Sequence, residues 1–249
     1  MLHKLGSLLL LAASYLAAFF VFESHVAGVA AVLFWFFLPW IELLTRVRQM
    51  RLPMEKKLSR RSPPSRERFP ELLDFTTEIE EAGFEHVADT GWDWGDMAQF
   101  FRVFYHDELK TQVALCLNEQ EGIALAYIAV TSRDSENKTF RTWTFPFSGP
   151  MRPAPGVILN QITATETFKD LLNQHLAFLK EKGIAPSELV SDDPETIEDL
   201  MEVEVRNQIR HNLKRGIIVE SIEEGTFRYS WRGLFFLWTQ ILKDMVKLS

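Results

Sequence analysis

The side chains able to do chemistry are few and far apart. Cys116 is the single cysteine, and with His106 and Asp107 it supplies the residue types of a nucleophile, a base and an orienting acid. The thiol lies inside VALCLN, flanked by apolar residues, with no glycine-rich oxyanion element beside it. That setting predicts a buried, inert cysteine. Asp89, Asp93 and Asp96 in DTGWDWGD offer clustered oxygens of the kind hard cations take. Their spacing fits no EF-hand loop and lacks its closing Glu, so a solvated turn is expected. His175 sits among Leu172, Leu176 and Leu179 and reads as a hydrogen-bonded core histidine. His86, His175 and His211 are too scattered for a metal, and no HExxH, CxxC, Walker or GxGxxG pattern occurs. The expectation is a non-enzymatic protein without a catalytic residue, cofactor or metal. Trp92 and Trp94 carry a different signal. If exposed, they make a protein-binding anchor; if buried, they are ordinary core or edge residues.

Charge is distributed in blocks. The first 45 residues hold only Lys4, Glu23 and Glu42, whereas 46–68 hold nine Lys/Arg against two Glu, a local net charge of +7. Residues 69–249 hold 17 basic and 30 acidic side chains, or −13, beneath a whole-chain value of −7. A domain at −13 repels a phosphate backbone, so nucleic acid is not an expected partner. One cysteine excludes an intrachain disulfide and fits a reducing compartment.

Two uncharged runs precede the basic block: 18 residues at 5–22, and 19 at 26–44 with Glu42 near the end. At about 1.5 Å per residue, each just covers a hydrocarbon core of about 30 Å. Glu23-Ser24-His25 between them suffices for a tight turn, so residues 1–45 are read as a transmembrane helical hairpin. Trp40, beside Pro39, suits an interfacial aromatic belt. The first run can also be read as a cleaved signal with Lys4 as its n-region, but it is long and no small-x-small site precedes the second run. Arg46, Arg48, Arg51, Lys56, Lys57, Arg60, Arg61, Arg66 and Arg68 form a positive-inside signal, which places the following domain in the cytoplasm on either reading. Residues 46–68 are thus a basic juxtamembrane linker. Arg46, Arg48, Arg51, Lys56, Lys57, Arg60 and Arg61 are its candidates for contact with anionic lipid, at about 1 kcal/mol each.

Residues 69–184 predict an α+β domain. A helix runs from 69 to 81 and ends near Gly83, with Leu72, Phe75, Thr76 and Ile79 on one stripe. Runs at 99–106, 111–118, 122–131 and 138–147 are rich in β-branched and aromatic residues, separated by short polar turns, and predict an antiparallel meander. A further strand is expected at 157–163. A helix at 166–182 follows, with a capping box from Thr163 and Glu166 and a stop at Gly183. The helices are expected on one sheet face. Residues 185–249 predict a charged helix from Asp193-Pro194 to about Arg215, a β-hairpin around Glu224-Gly225 and a C-terminal amphipathic helix. The run from Leu213 to Gly233, the end of a helix plus two short strands, resembles the wing of a winged-helix domain over about 20 residues. That resemblance implies DNA contact, against which stand the acidic surroundings and the lack of a basic recognition helix before it. Phe235, Trp238, Leu242 and Met245 share one face of the last helix, which fits an interfacial helix on lipid or packing on the core.

The function expected from these features is a membrane-anchored, cytoplasmic-facing interaction or assembly subunit of a protein complex, with the bilayer and a protein as partners. The alternative is a tethered ligand- or lipid-binding sensor with an apolar cavity lined by Phe100, Phe104, Tyr127, Trp143 and Phe145.

Overall fold

Strand-forming runs between Glu85 and Trp143 alternate side chains between two faces, and both faces find cover. A computed structural model describes residues 2–162, 165 and 167–248. The fold is mixed α and β. The chain divides into two compact units, Pro53–Pro146 with Arg152–His211, and Met1–Leu52 with Phe147–Met151 and Asn212–Ser249.

The larger unit is built on a seven-stranded sheet in the order β2-β3-β4-β5-β6-β7-β8. Its strands are β2 (Ser59–Arg60), β3 (Glu85–Trp94), β4 (Met97–His106), β5 (Thr111–Gln120), β6 (Ile123–Arg133), β7 (Thr139–Trp143) and β8 (Val157–Gln161). From β2 to β7 each neighbour is antiparallel, as a meander requires; β8 instead lies parallel to β7, with Thr139 opposite Val157. The Pro- and Gly-rich stretch before β8 is long enough to return the chain to the same end of the sheet, which a hairpin turn cannot do.

The predicted turn around DTGWDWGD is instead the end of β3. Its acids are accommodated by basic partners: Arg102 donates from Nε and Nη2 to Asp89 at 2.8 and 2.7 Å, and Arg61 pairs with Asp93 at 2.5 Å. Gly91 lets the two backbones close, because a Cβ there would sit 2.0 Å from the Gln99 carbonyl.

One sheet face carries Phe100, Phe104, Val113, Leu115, Leu117, Ile128 and Val130, packed with α3 (Leu72–Glu81) and α4 (Phe168–Glu181) through Ile79, Phe168 and Leu171. Helix α4 is capped by Thr167, whose side chain accepts from the Asp170 N–H; the expected Thr163–Glu166 box lies outside the described residues. On the opposite face Val103 and Tyr105 pack with Ile197 of α5 (Ile197–Lys214), which a 3₁₀ turn at Pro194–Thr196 introduces. The helices therefore cover both faces, not one. The charged α5 can do so because its acids meet basic sheet residues. Glu204 accepts from Arg141 Nη1 and Nη2 at 2.6 and 2.9 Å, and Arg141 Nε reaches Thr131 Oγ1 at 3.0 Å.

The smaller unit begins with α1 (Leu2–Phe22) and α2 (His25–Glu42), reversed at Glu23, whose φ is 48°. Trp35 Nε1 donates to Ser14 Oγ at 2.9 Å, and Tyr15 Oη lies 2.7 Å from His25 Nδ1. Gly28 lets the helices approach, since a Cβ would fall 2.7 Å from the Tyr15 ring. A π-helical turn, Leu43–Val47, and the short β1 (Leu52–Pro53) follow. The predicted hairpin forms as β9 (Ile218–Glu220) and β10 (Thr226–Tyr229), and α6 (Trp231–Leu248) closes the chain. Among the described residues no single helix is long and apolar enough to cross a membrane. One bent pair, His25–Trp35 with Phe37–Val47 turned by 49°, qualifies by length and composition.

Candidate functional site

Residues that the sequence assigned to separate roles meet in the larger unit. The segment before β2 runs beside the end of β3, and the two border an open cleft of about 480 Å³ lined by Pro53, Glu55, Lys56, Lys57, Ser59, Arg61, Trp92, Asp93 and Trp94. Lys56 Nζ stands 3.8 Å above the centroid of the Trp92 ring. Cross-strand pairing fixes that ring: Trp92 is opposite Gln99, and Gln99 opposite Asn118. Trp92 Nε1 donates to Gln99 Oε1, and Gln99 Nε2 donates to Asn118 Oδ1, both at 2.5 Å. Trp92 is thereby buried as a platform, whereas Trp94 is 37 % exposed.

The electrostatics of the cleft are uneven. Asp93 is engaged by Arg61, whose own Nε is buried without an acceptor. Lys56 has an aromatic face for a neighbour and no carboxylate paired with it among the described residues. Burial pushes its ammonium down to about 8. A cation on a π face is stabilised by the ring quadrupole, yet its remaining N–H groups still require oxygen acceptors. Lys57 and Arg60 are exposed beside it.

The imagined nucleophile set is not assembled. Cys116 faces Phe101 across the β4–β5 pair, five residues along β4 from His106 and on the opposite sheet face. The thiol is 2 % exposed, and burial pushes it up to about 12. His106 packs edge-on against Phe84. Asp107 accepts from Ser191 Oγ at 3.0 Å. No group of three His, Cys, Asp or Glu able to hold a metal occurs among the described residues. Asp89 serves structure: burial works against its charge, but hydrogen bonds from Arg102 and His86 hold the carboxyl below its ordinary range.

His175 is the core histidine expected, and its partners were not visible beforehand. Its Nε2 lies 3.0 Å from Ser132 Oγ and its Nδ1 3.0 Å from Thr142 Oγ1, with Thr111 Oγ1 a further 2.9 Å from Ser132 Oγ. Full burial among neutral hydroxyls pushes the imidazole down to about 4. The five residues expected to line one apolar cavity are divided by the pleat. Phe100 and Phe104 belong to the core under α3 and α4. Tyr127 lies opposite Cys116 on the other face, in ring contact with Trp143 and Phe145 at 6.3 and 5.0 Å.

The remaining candidates lie in the smaller unit. Arg46 pairs loosely with Glu42, Arg48 Cζ stands 4.4 Å over the Trp231 ring, and Arg51 Nη1 caps the carbonyls of Arg48, Gln49 and Met50. Helix α6 buries Leu234 and Leu237, and Trp238 stacks on Phe37 at 5.9 Å and Trp40 at 5.8 Å. Phe235 on the same helix is 54 % exposed. Comparison with known proteins finds no matching family model, curated protein or solved structure.

Proposed function

We propose that the protein is a membrane-anchored, non-enzymatic interaction or assembly subunit, with the smaller unit as anchor and the larger one facing the cytoplasm. The observation that carries this reading is the apolar surface of α1, α2 and α6. Phe20, Val21, Phe22, Val26, Phe34 and Ile41 all expose more than half of their area, and Trp231 and Phe235 do so on α6. Exposed apolar surface costs about 25 cal/mol per Å² in water, and contiguous patches of this kind mark sites that meet lipid or protein.

Length supports the reading. His25–Trp35 rises about 16 Å, and the following half, tilted by 49°, adds about 11 Å, close to a hydrocarbon thickness of about 30 Å. The charged tip at Glu23 precedes this stretch, and the basic block begins with Arg46 in its last turn and continues beyond it, as befits the ends of a span. Arg46, Arg48 and Arg51 then supply the cytoplasmic positive charge. The same chain with alkaline phosphatase fused after Ser249 in a bacterial host tests the orientation. The fusion should be inactive and remain with membranes after carbonate washing. High phosphatase activity, or release into the wash, would refute the reading.

A further inference from the structure

We propose that the cleft between the segment from Pro53 to Arg61 and the end of β3 binds a phosphate-bearing anion, held by Lys56 over the Trp92 platform. This proposal is independent of the membrane anchor. It rests on an inventory of donors: Lys56, Lys57, Ser59 and Arg61 all line one cleft of about 480 Å³. Lys56 has a ring face as its neighbour and no oxygen partner among the described residues, and Arg61, whose Nη2 pairs with Asp93, adds a second positive charge to the same cleft. Polar groups withdrawn from water are ordinarily satisfied, and a half-buried ammonium with three N–H groups and only a ring face beside it suits an acceptor-rich ligand.

The two acids of the cleft do not fill that place. Asp93 is engaged by Arg61, and Glu55 is exposed. A phosphate fits better than a lone carboxylate because its several oxygens can take donors from three or four side chains of a single short segment. The volume exceeds that of the bare ion, so room remains for the body of the ligand. Trp94, at the end of β3, also lines this space. The ring beneath Lys56 is held in place, because Trp92 is tied through Gln99 to Asn118, across three strands. Occupancy should restore the ammonium to its ordinary range: an opposite charge within about 4–6 Å raises a lysine held down by desolvation.

The shared chemistry has two sources, a soluble phosphorylated molecule or a lipid headgroup. The test uses the full chain, labelled with 13C-lysine, in nanodiscs of phosphatidylcholine, with the Lys56 Cε resonance assigned through Lys56→Arg. Alone, Lys56 should titrate near 8. Inorganic phosphate should move that midpoint up by roughly one unit or more. Radiolabelled phosphate binding should fall at least tenfold in Lys56→Met. A midpoint that moves only when phosphatidic acid replaces part of the phosphatidylcholine assigns the site to a headgroup, and the inference stands. A midpoint unmoved by either probe overturns it, as does phosphate binding that persists in Lys56→Met. If Lys56→Met does not fold, the wild-type titration alone decides.

Discussion

Trp238 of α6 lies against Trp40 of α2, with ring centroids 5.8 Å apart and the planes inclined by 32°. Phe37, one helical turn earlier, stacks on the same indole at 5.9 Å. The two aromatic residues expected to act together on α6 therefore have different surroundings, Trp238 holding the helix to α2 and Phe235 facing outward. Trp238→Ala should lower the thermal stability of the detergent-solubilised chain by about 2 kcal/mol, less than the 3–5 of a fully buried aromatic. Phe235→Ser should leave the melt within about 0.5 kcal/mol of the parent, as exposed substitutions do. Equal losses in differential scanning calorimetry would mean that both rings are core.

His175 makes acid stability measurable at one residue. Its pKa is about 4 in the folded chain against 6.5 when free, so the unfolded chain takes up a proton that the folded chain refuses. The stabilisation is complete above pH 6.5 and is lost as pH falls towards 4. At about 1.4 kcal/mol per unit, the loss approaches roughly 3 kcal/mol. Denaturant melts of wild type and His175→Gln across that window should converge at low pH. A constant difference between them would show that His175 does not titrate as its burial requires.

The Arg141–Glu204 pair joins α5 to the sheet through two hydrogen bonds, with each side chain about one-fifth exposed. Arg141→Met should cost about 3 kcal/mol, because Glu204 keeps its charge and loses its bidentate partner. Adding Glu204→Met should restore a large part of that loss, since the carboxylate left with only Arg133 Nη2, at 3.8 Å, is then gone. A double variant no more stable than the single one would contradict this. Chemical denaturation of the four chains of the cycle gives the answer.

Where local pattern and tertiary context agreed, the sequence was readable. Strands β4 to β7, the hairpin at Gly225 and the stops at Gly83, Gly183 and Gly216 follow from alternation and turn residues, and all three of these helix-ending glycines have positive φ. Strand β3 was not readable because Asp89, Gly91 and Asp93 are turn formers in isolation. Their place in a sheet depends on Arg102, Arg61 and the approach of Gln99. The second covered face was hidden for a similar reason: α5 looks solvent-facing until its acids meet Arg141 and Arg133. In the cleft, the sequence marks the two partners for separate roles, Lys56 for lipid and Trp92 for protein. Residues 53–61 carry no periodicity that would bring the two together.

The anchor is tested most directly by contact with acyl chains. Trp35, Trp40, Trp231 and Trp238 belong to the smaller unit, and Trp92, Trp94 and Trp143 to the larger. Single-tryptophan variants of the full chain, the other six replaced by Phe, can be reconstituted in phosphatidylcholine brominated along its chains. Bromine quenches only at contact. Trp35 and Trp40 should lose more than half of their emission relative to unbrominated lipid, with Trp231 and Trp238 quenched less strongly nearer the headgroups, while Trp92, Trp94 and Trp143 stay within about 10 % of theirs. Trp35 and Trp40 emission unchanged by bromine would contradict the membrane anchor outright.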